Sequence, residues 1–269
     1  MNVYLRFFSR FLLFLFSAYV LICVLVYFNQ ESLLFHPHSV SRRHSYDFGM
    51  PFMEKTITVE KGIRLNGVLF ETKQSKGLVF FVHGNSGNVS DLKGPAEFYT
   101  SLGYDFFAFD FRGFGKSNGT IADETVFYND AQVVYDSLKR SYAEQHIIVA
   151  GYSVGTAAAT RLAAINHPKK LILMAPYYSM EQLADYHYSW IPAFLVHYKF
   201  KTYEFLRKVS QPVLIGHGTD DGTIPLNQSL QLKKLLKENG EFLVLDHEGH
   251  NGVQSNPVFQ EAIRTFLED

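Results

Sequence analysis

Cysteine is almost missing from this chain. The one cysteine among the 269 residues, Cys23, stands inside a long apolar run. The sequence therefore allows no intramolecular disulfide, no thiol nucleophile in a folded domain and no cysteine-based zinc site. Surplus charge is missing too. The net charge is -1 at pH 7, with no extended basic run and no interleaving of basic and aromatic residues, which argues against nucleic acid as a partner. A phosphate-binding loop is absent even where Gly115-Lys116-Ser117 suggests one. That loop needs a glycine five residues before Gly115, and Asp110 occupies the position. His36, His38 and His44 fall close together but lack helical i, i+4 spacing and a carboxylate partner, so they read as solvated histidines rather than metal ligands. Nothing in the sequence calls for a metal or an organic cofactor.

What is present begins with an uncharged apolar run from Phe11 to Phe28, preceded by Arg6 and Arg10. Such a run crosses a hydrocarbon core as a slightly short helix, with Phe7, Phe8, Tyr27 and Phe28 at the two interfaces. Tyr27-Phe28-Asn29-Gln30 offers no small-x-small cleavage site, and Leu21-Ile22 ahead of Cys23 does not resemble a lipoprotein signal. Residues 1–30 are therefore expected to form a signal anchor. The two early arginines favour a cytoplasmic N-terminus, because Arg42 and Arg43 come well after the span. The remainder would face a periplasm, a lumen or the exterior. Residues 31–54 read as a juxtamembrane connector and 55–269 as one domain. About 240 residues follow the anchor, enough for a single α/β core.

Within the domain, Lys55–Val59 and Ile63–Phe70 flank Glu60-Lys61-Gly62 as an antiparallel hairpin. Continuous apolar strands then alternate with helices. The strands are Leu78–Val82, Tyr104–Phe109, Ile147 up to the Gly-x-Ser-x-Gly segment, Leu171–Met174, Val213–Ile215 and Phe242–Leu245. A helix ends near Leu102. Others run over Asp123–Arg140 (with Val126, Val133, Val134 and Leu138 as inward candidates), Leu226–Leu236 and Val258–Leu267. This pattern predicts a mostly parallel sheet covered by helices on both faces. Ligands of such sheets bind beyond the carboxyl ends of the strands.

One stretch orders the rest. The run His146-Ile-Ile-Val-Ala ends in Gly151-Tyr-Ser153-Val-Gly155 and passes directly into small-residue helix. A strand turning at once into a helix exposes its middle residue at the strand's end, over the unpaired N–H groups of the helix start. Ser153 is thus a candidate nucleophile. A serine hydroxyl needs a base to take its proton and a carboxylate to orient that base. Downstream strand ends supply both types of residue: His217-Gly-Thr-Asp220-Asp221-Gly-Thr-Ile224-Pro225, then Asp246-His247-Glu-Gly249-His250. Asn88, Asn118 and Asn227 each begin an N-x-S/T triplet. A glycan on Asn88 would obstruct the candidate site, which favours a bacterial setting.

In this combination the chain resembles the α/β-hydrolase superfamily, in its membrane-anchored esterase/lipase-like and serine-peptidase-like branch, from about Lys55 onward. The resemblance implies the α/β-hydrolase fold with a short cap insertion at about 177–210. It selects Asp221 over Asp220 through the pattern H-G-x-x-D-x-x-I/V-P, and His250 over His247 because the base follows a glycine. The segment His83-Gly-Asn85-Ser-Gly-Asn88 is similar to the family's oxyanion loop, which implies backbone N–H groups of Asn85 and Val154 as the oxyanion hole. For Asp110-Phe-Arg112-Gly113-Phe-Gly115-Lys-Ser117 a structural role is expected. The implied activity is a cofactor-free hydrolysis of an acyl ester, thioester or lipid-like substrate. A peptidase or an acyltransferase on the same residues, or a non-catalytic tethered binding protein, are the alternatives. The aromatic cap either lines an acyl pocket or packs onto the sheet; its composition alone leaves both open.

Overall fold

The computed structural model describes residues 3–268; the first two residues of the expected anchor and Asp269 lie outside them. Helix α1 (Val3–Phe28) is the apolar run, followed by α2 (Gln30–Leu34) and the two-residue strand β1 (His36–Pro37). The hairpin is β2 (Met53–Glu60) and β3 (Ile63–Phe70). After it come β4 (Leu78–Val82), the short β5 (Ser86–Gly87), α3 (Lys93–Ser101), β6 (Asp105–Phe109) and α4 (Glu124–Leu138). Then follow β7 (Ile147–Tyr152), α5 (Gly155–Ile165), β8 (Lys170–Met174), α6 (Met180–His187) and α7 (Thr202–Leu206). The chain closes with β9 (Val213–Gly218), α8 (Leu226–Lys233), β10 (Gly240–Leu245) and α9 (Pro257–Glu268).

Eight strands form one sheet in the order β10-β9-β8-β7-β4-β6-β3-β2. The β2–β3 and β3–β6 pairs are antiparallel and the others parallel. Alternation along each strand sends side chains to two cores. Leu78, Phe80 and Val82 join Leu171 and Leu173 under α4, α5 and α8, whereas Val79 and Phe81 join Ile172 and Met174 under α3 and α9. Burial on both faces is why the parallel strands read as continuous apolar runs. Helix α9 turns Phe259, Ile263, Phe266 and Leu267 inward, an i, i+4, i+7, i+8 stripe.

Helix α4 starts at Asp123, whose side chain accepts the Val126 N–H at 2.8 Å. Its buried face includes Val134 and Leu138 as expected but not the other two valines. Phe127, Ala131, Val134, Tyr135 and Leu138 point inward, leaving Val126 and Val133 half-buried. Aromatic rings on the neighbouring stripe bury more apolar area per residue than valines, and they set the helix rotation.

Helix α1 is long and apolar enough to cross a membrane and most of it is exposed, its C-terminal part meeting the cap. The stretch after it is no loose connector. β1 pairs in parallel with β5, and Ser39 bridges Gly115. The His36 N–H donates to Asn85 O at 2.8 Å and Val40 N–H to Gly115 O at 2.8 Å. Phe35 enters one core; Tyr46 and Phe48 enter the other. Residues 34–52 therefore form a strap lying over the loops that follow β4 and β6. His36, His38 and His44 remain exposed, as expected of solvated histidines.

The chain visits β4, moves outward to β6, then returns past β4 to β7. Loops leaving β4 and β7 consequently diverge, opening a crevice at their carboxyl ends. Close packing there is maintained by glycine. A Cβ on Gly155 would lie 2.2 Å from Val82 O and 2.4 Å from His83 O, and one on Gly151 would lie 2.7 Å from the Ala159 Cβ. Gly155→Ala should cost about 1–3 kcal/mol, the usual penalty of overpacking a closed site. Denaturant unfolding of the full chain in detergent measures it, and an unchanged midpoint would refute the assigned crowding.

Candidate active site

The turn between β7 and α5 is strained as the sequence predicts. Ser153 has φ +52, a left-handed conformation for a residue with a Cβ. Its backbone is pinned on both sides: Ser153 N–H donates to Met174 O at 3.0 Å, and Thr156 N–H and Oγ1–H donate to Ser153 O at 3.0 and 2.6 Å. The side chain therefore stands at the crevice rather than in either core.

Ser153, His250 and Asp221, the three residues expected to act together, meet here. The Ser153 Oγ lies 3.0 Å from His250 Nε2, and His250 Nδ1 lies 2.7 Å from Asp221 Oδ2. An ionised carboxylate only accepts, so Nδ1 carries the ring proton and Nε2 is left to accept the serine hydroxyl. The rejected candidates are elsewhere. Asp220 and His247 are both solvent-exposed, 3.9 Å apart at their nearest atoms.

Asp221 is buried and saturated with donors. Its Oδ1 accepts the Thr223 and Ile224 N–H groups at 2.9 and 2.7 Å. Its Oδ2 faces a second imidazole as well, since His217 Nε2 is 3.3 Å away. That nitrogen also contacts Ile224 O at 2.8 Å, and a carbonyl cannot donate, so Nε2 bears hydrogen. Burial alone would raise the carboxyl's pKa. Hydrogen bonds from His217, His250 and the Ile224 amide outweigh it and hold Asp221 well below the usual carboxylate range.

His217 was legible only as a letter of a pattern, with no role attached; the structure puts it against the back of Asp221. Tyr152 was also missed. Its ring packs on His250 with centroids 5.3 Å apart, and its hydroxyl donates to Asn251 Oδ1 at 3.0 Å. Both contacts join residues almost a hundred positions apart, which no local spacing reveals.

Asn85 sits at the end of β4, where the strap holds it. Its Nδ2 donates to Leu34 O at 2.7 Å. Among the described residues, neither the Asn85 nor the Val154 backbone N–H has an acceptor. Farther along the loop, Asn88 Nδ2 donates to His38 O at 2.9 Å, and its Oδ1 caps Ser90 N–H at 2.9 Å. His83 is buried beside Phe111 and donates from Nδ1 to Gly84 O at 2.7 Å; burial lowers its pKa to about 4. The expected structural segment after β6 braces this loop. Asp110 Oδ1 accepts Val89 N–H at 2.8 Å, while Arg112 grips Asp130 through two bonds of 2.6 and 2.9 Å and reaches Glu60 at 2.7 Å.

A cavity of about 310 Å³ opens at Ser153, walled by Asn85, Ser86, Tyr152, His250 and Gln254. Among the described residues, no group of three or more His, Cys, Asp or Glu is arranged to hold a metal ion. The cap divides its aromatic residues. Tyr177, Tyr198 and Phe200 are buried in the core, while Tyr186, Tyr188, Trp190 and Phe194 are exposed.

A family model described as "Serine aminopeptidase, S33" matches residues 73–204. A relative from Mycobacterium tuberculosis with no assigned function is 30% identical over 220 residues, covering 78% of this chain and 77% of that protein. The human alpha/beta hydrolase domain-containing protein 17B is 28% identical over 226 residues, covering 80% of this chain and 74% of that one. Among solved structures, a Pyrococcus furiosus esterase superposes with a TM-score of 0.70 at 22% identity, covering 87% of this chain and 97% of its own. Est1E from Butyrivibrio proteoclasticus, solved with ferulic acid, gives 0.67 at 21% identity, covering 80% and 98%.

Burial pushes the Asp110 carboxyl up to about 7, against the hydrogen bonds from Val89 and Tyr46. The folded chain thus holds this proton more tightly than the unfolded chain, and this group makes stability fall as pH rises from about 4 to about 7. Asp110→Asn keeps an acceptor for Val89 and removes the titration. Relative to wild type it should gain stability across that window, by at most about 1.4 kcal/mol per pH unit. Denaturant midpoints of both proteins across the window measure this, and parallel curves would contradict it.

Proposed function

The chain belongs to the α/β-hydrolase superfamily, and on that premise we propose that it is a membrane-anchored serine hydrolase cleaving carboxylic ester or thioester bonds. The observation that carries this reading is the continuous hydrogen-bonded line from Ser153 through His250 to the buried Asp221, opening on a cavity at three strand ends. In the proposed mechanism Ser153 Oγ attacks the acyl carbonyl as His250 Nε2 takes its proton. Asp221 keeps that ring in the productive tautomer and stabilises the imidazolium. The Asn85 and Val154 N–H groups receive the developing oxyanion, an interaction for which each donor is typically worth about 10²–10³ in rate. His250 then protonates the leaving alcohol or thiol. Water, deprotonated by the same imidazole, releases the acid from the acyl-enzyme.

A peptidase reading draws support from the description of the matching family model. Removal of an N-terminal residue calls for a carboxylate that holds the substrate's ammonium group. Asp91 is the one carboxylate among the described residues lining the cavity at Ser153, and its Oδ2 already accepts the Asn88 N–H at 3.1 Å. The ester reading is preferred on that ground.

Helix α1 is the proposed anchor, a single span with Arg6 and Arg10 on the cytoplasmic side and the hydrolase domain on the other.

The full chain in detergent should hydrolyse p-nitrophenyl esters, with the preferred acyl length reporting the size of the pocket. Ser153→Ala should abolish both this activity and labelling by a fluorophosphonate. Equal inertness of wild type and variant, without labelling, would overturn the proposal. Asp221→Asn should lower kcat by on the order of 10⁴ while leaving KM nearly unchanged, because it acts on the ring's tautomer rather than on binding.

A further inference from the structure

The exposed cap aromatics adjoin the anchor. Tyr19 Oη, within α1, donates to Trp190 O at 2.9 Å. Gln30 clamps the same segment at the helix end: its Nε2 donates to Leu195 O at 2.7 Å, and its Oε1 accepts His197 N–H at 2.7 Å. Tyr19 stands nine residues before the last residue of α1, which is roughly 13 Å along a helix axis. The cap therefore does not stop where the helix ends. It runs alongside the span, past the level at which a chain crossing a bilayer would leave the lipid.

The composition of that segment fits the position. From Tyr186 to Tyr198 there is no Asp, Glu, Lys or Arg, while Asp185 precedes the stretch and Lys199 and Lys201 follow it. Between cap and helix runs an apolar groove of about 300 Å³, with Val26, Leu33 and Leu34 on one wall and Ala184, Ile191 and Leu195 on the other. Tyrosine and tryptophan concentrate at membrane interfaces, where an apolar ring meets a polar rim. A soluble surface rarely presents so large a continuous apolar patch without a partner.

We propose that the cap tip, Tyr186–Leu195, is seated in the leaflet on the domain's side of the membrane, and that acyl chains of phospholipid fill the groove between cap and anchor. This rests on reading α1 as a membrane anchor. The hydrogen bond from Tyr19 satisfies the Trp190 carbonyl that insertion would otherwise leave without a partner in hydrocarbon. Lys199, 3.8 Å from Glu181, and Lys201, 3.1 Å from Glu204, form the charged rim at which the apolar segment ends. Groove and active-site cavity are linked through one hydrogen bond: Leu34 lines the groove, and its carbonyl accepts the side-chain N–H of Asn85, which lines the cavity.

Trp190 is the only tryptophan in the chain, so its fluorescence reports this segment alone. The full chain is reconstituted into phosphatidylcholine nanodiscs with or without bromine on the acyl chains. Trp190 should lose most of its emission to brominated chains and almost none to aqueous iodide. Quenching by iodide with none by brominated chains would overturn the proposal. A second reporter guards against shielding by protein. Phe194 is 81% exposed, so in Trp190→Phe/Phe194→Trp only lipid can protect the new ring. A blue-shifted, iodide-resistant emission there supports insertion, and a water-like emission refutes it. Alkaline carbonate extraction separates the two readings. A chain retained in the membrane but quenched by iodide fails the cap proposal alone, whereas a chain released by carbonate fails the anchor reading and the cap proposal with it.

Discussion

Everything at the candidate site depends on how tightly the chain turns from β7 into α5. The turn leaves no room for a side chain at Gly155, whose Cβ position is occupied by the carbonyls that end β4. That contact sets the start of the helix against the end of β4, from which the loop carrying Asn85 departs. It also forces Ser153 to φ +52, a conformation that an unconstrained serine would leave. Bonds to Ser153 O from Thr156 and from Ser153 N to Met174 hold it there. Local strain is thus retained by surrounding packing, which keeps the hydroxyl aligned with His250 before any substrate arrives.

The electrostatics follow a similar logic. Asp221 has little contact with water, yet it keeps its charge because four donors converge on two oxygens. Two of them are backbone amides of the turn that begins at Asp221 itself, so the loop folding and the carboxylate's ionisation support one another. His217 contributes from the strand behind. A site built this way tolerates the loss of no single partner without uncovering a buried charge.

Much of this was legible in the sequence, because the relevant order is local. Each apolar run bounded by turn residues became a strand, and Ser153, Asp221 and His250 each follow one directly. The choice of Asp221 and His250 over Asp220 and His247 came from motif resemblance, and the structure leaves the latter pair in solvent. What could not be read is non-local or aperiodic. The strap between α1 and β2 pairs through two-residue strands and single bridges, which leave no alternation to detect. On α4 Val134 and Leu138 are buried as expected, but rings share that face and leave Val126 and Val133 half-buried, a rotation that valine positions alone do not reveal. Composition alone could not divide the cap, where Tyr198 and Phe200 are buried and Tyr188 and Phe194 are not.

The strap governs what a cut between α1 and the domain would leave behind. A protease cutting between Phe28 and Gln30 would detach α1 from a domain whose Leu34 and His36 still hold Asn85. A cut only a few residues later, between His36 and Val40, would sever β1 from the fold and leave the loop after β4 without its clasp. Separation from α1 and retention of a formed site are therefore divided by less than a dozen residues of chain. The two cleaved forms, one with the loop after β4 clasped and one without, would be nearly the same length.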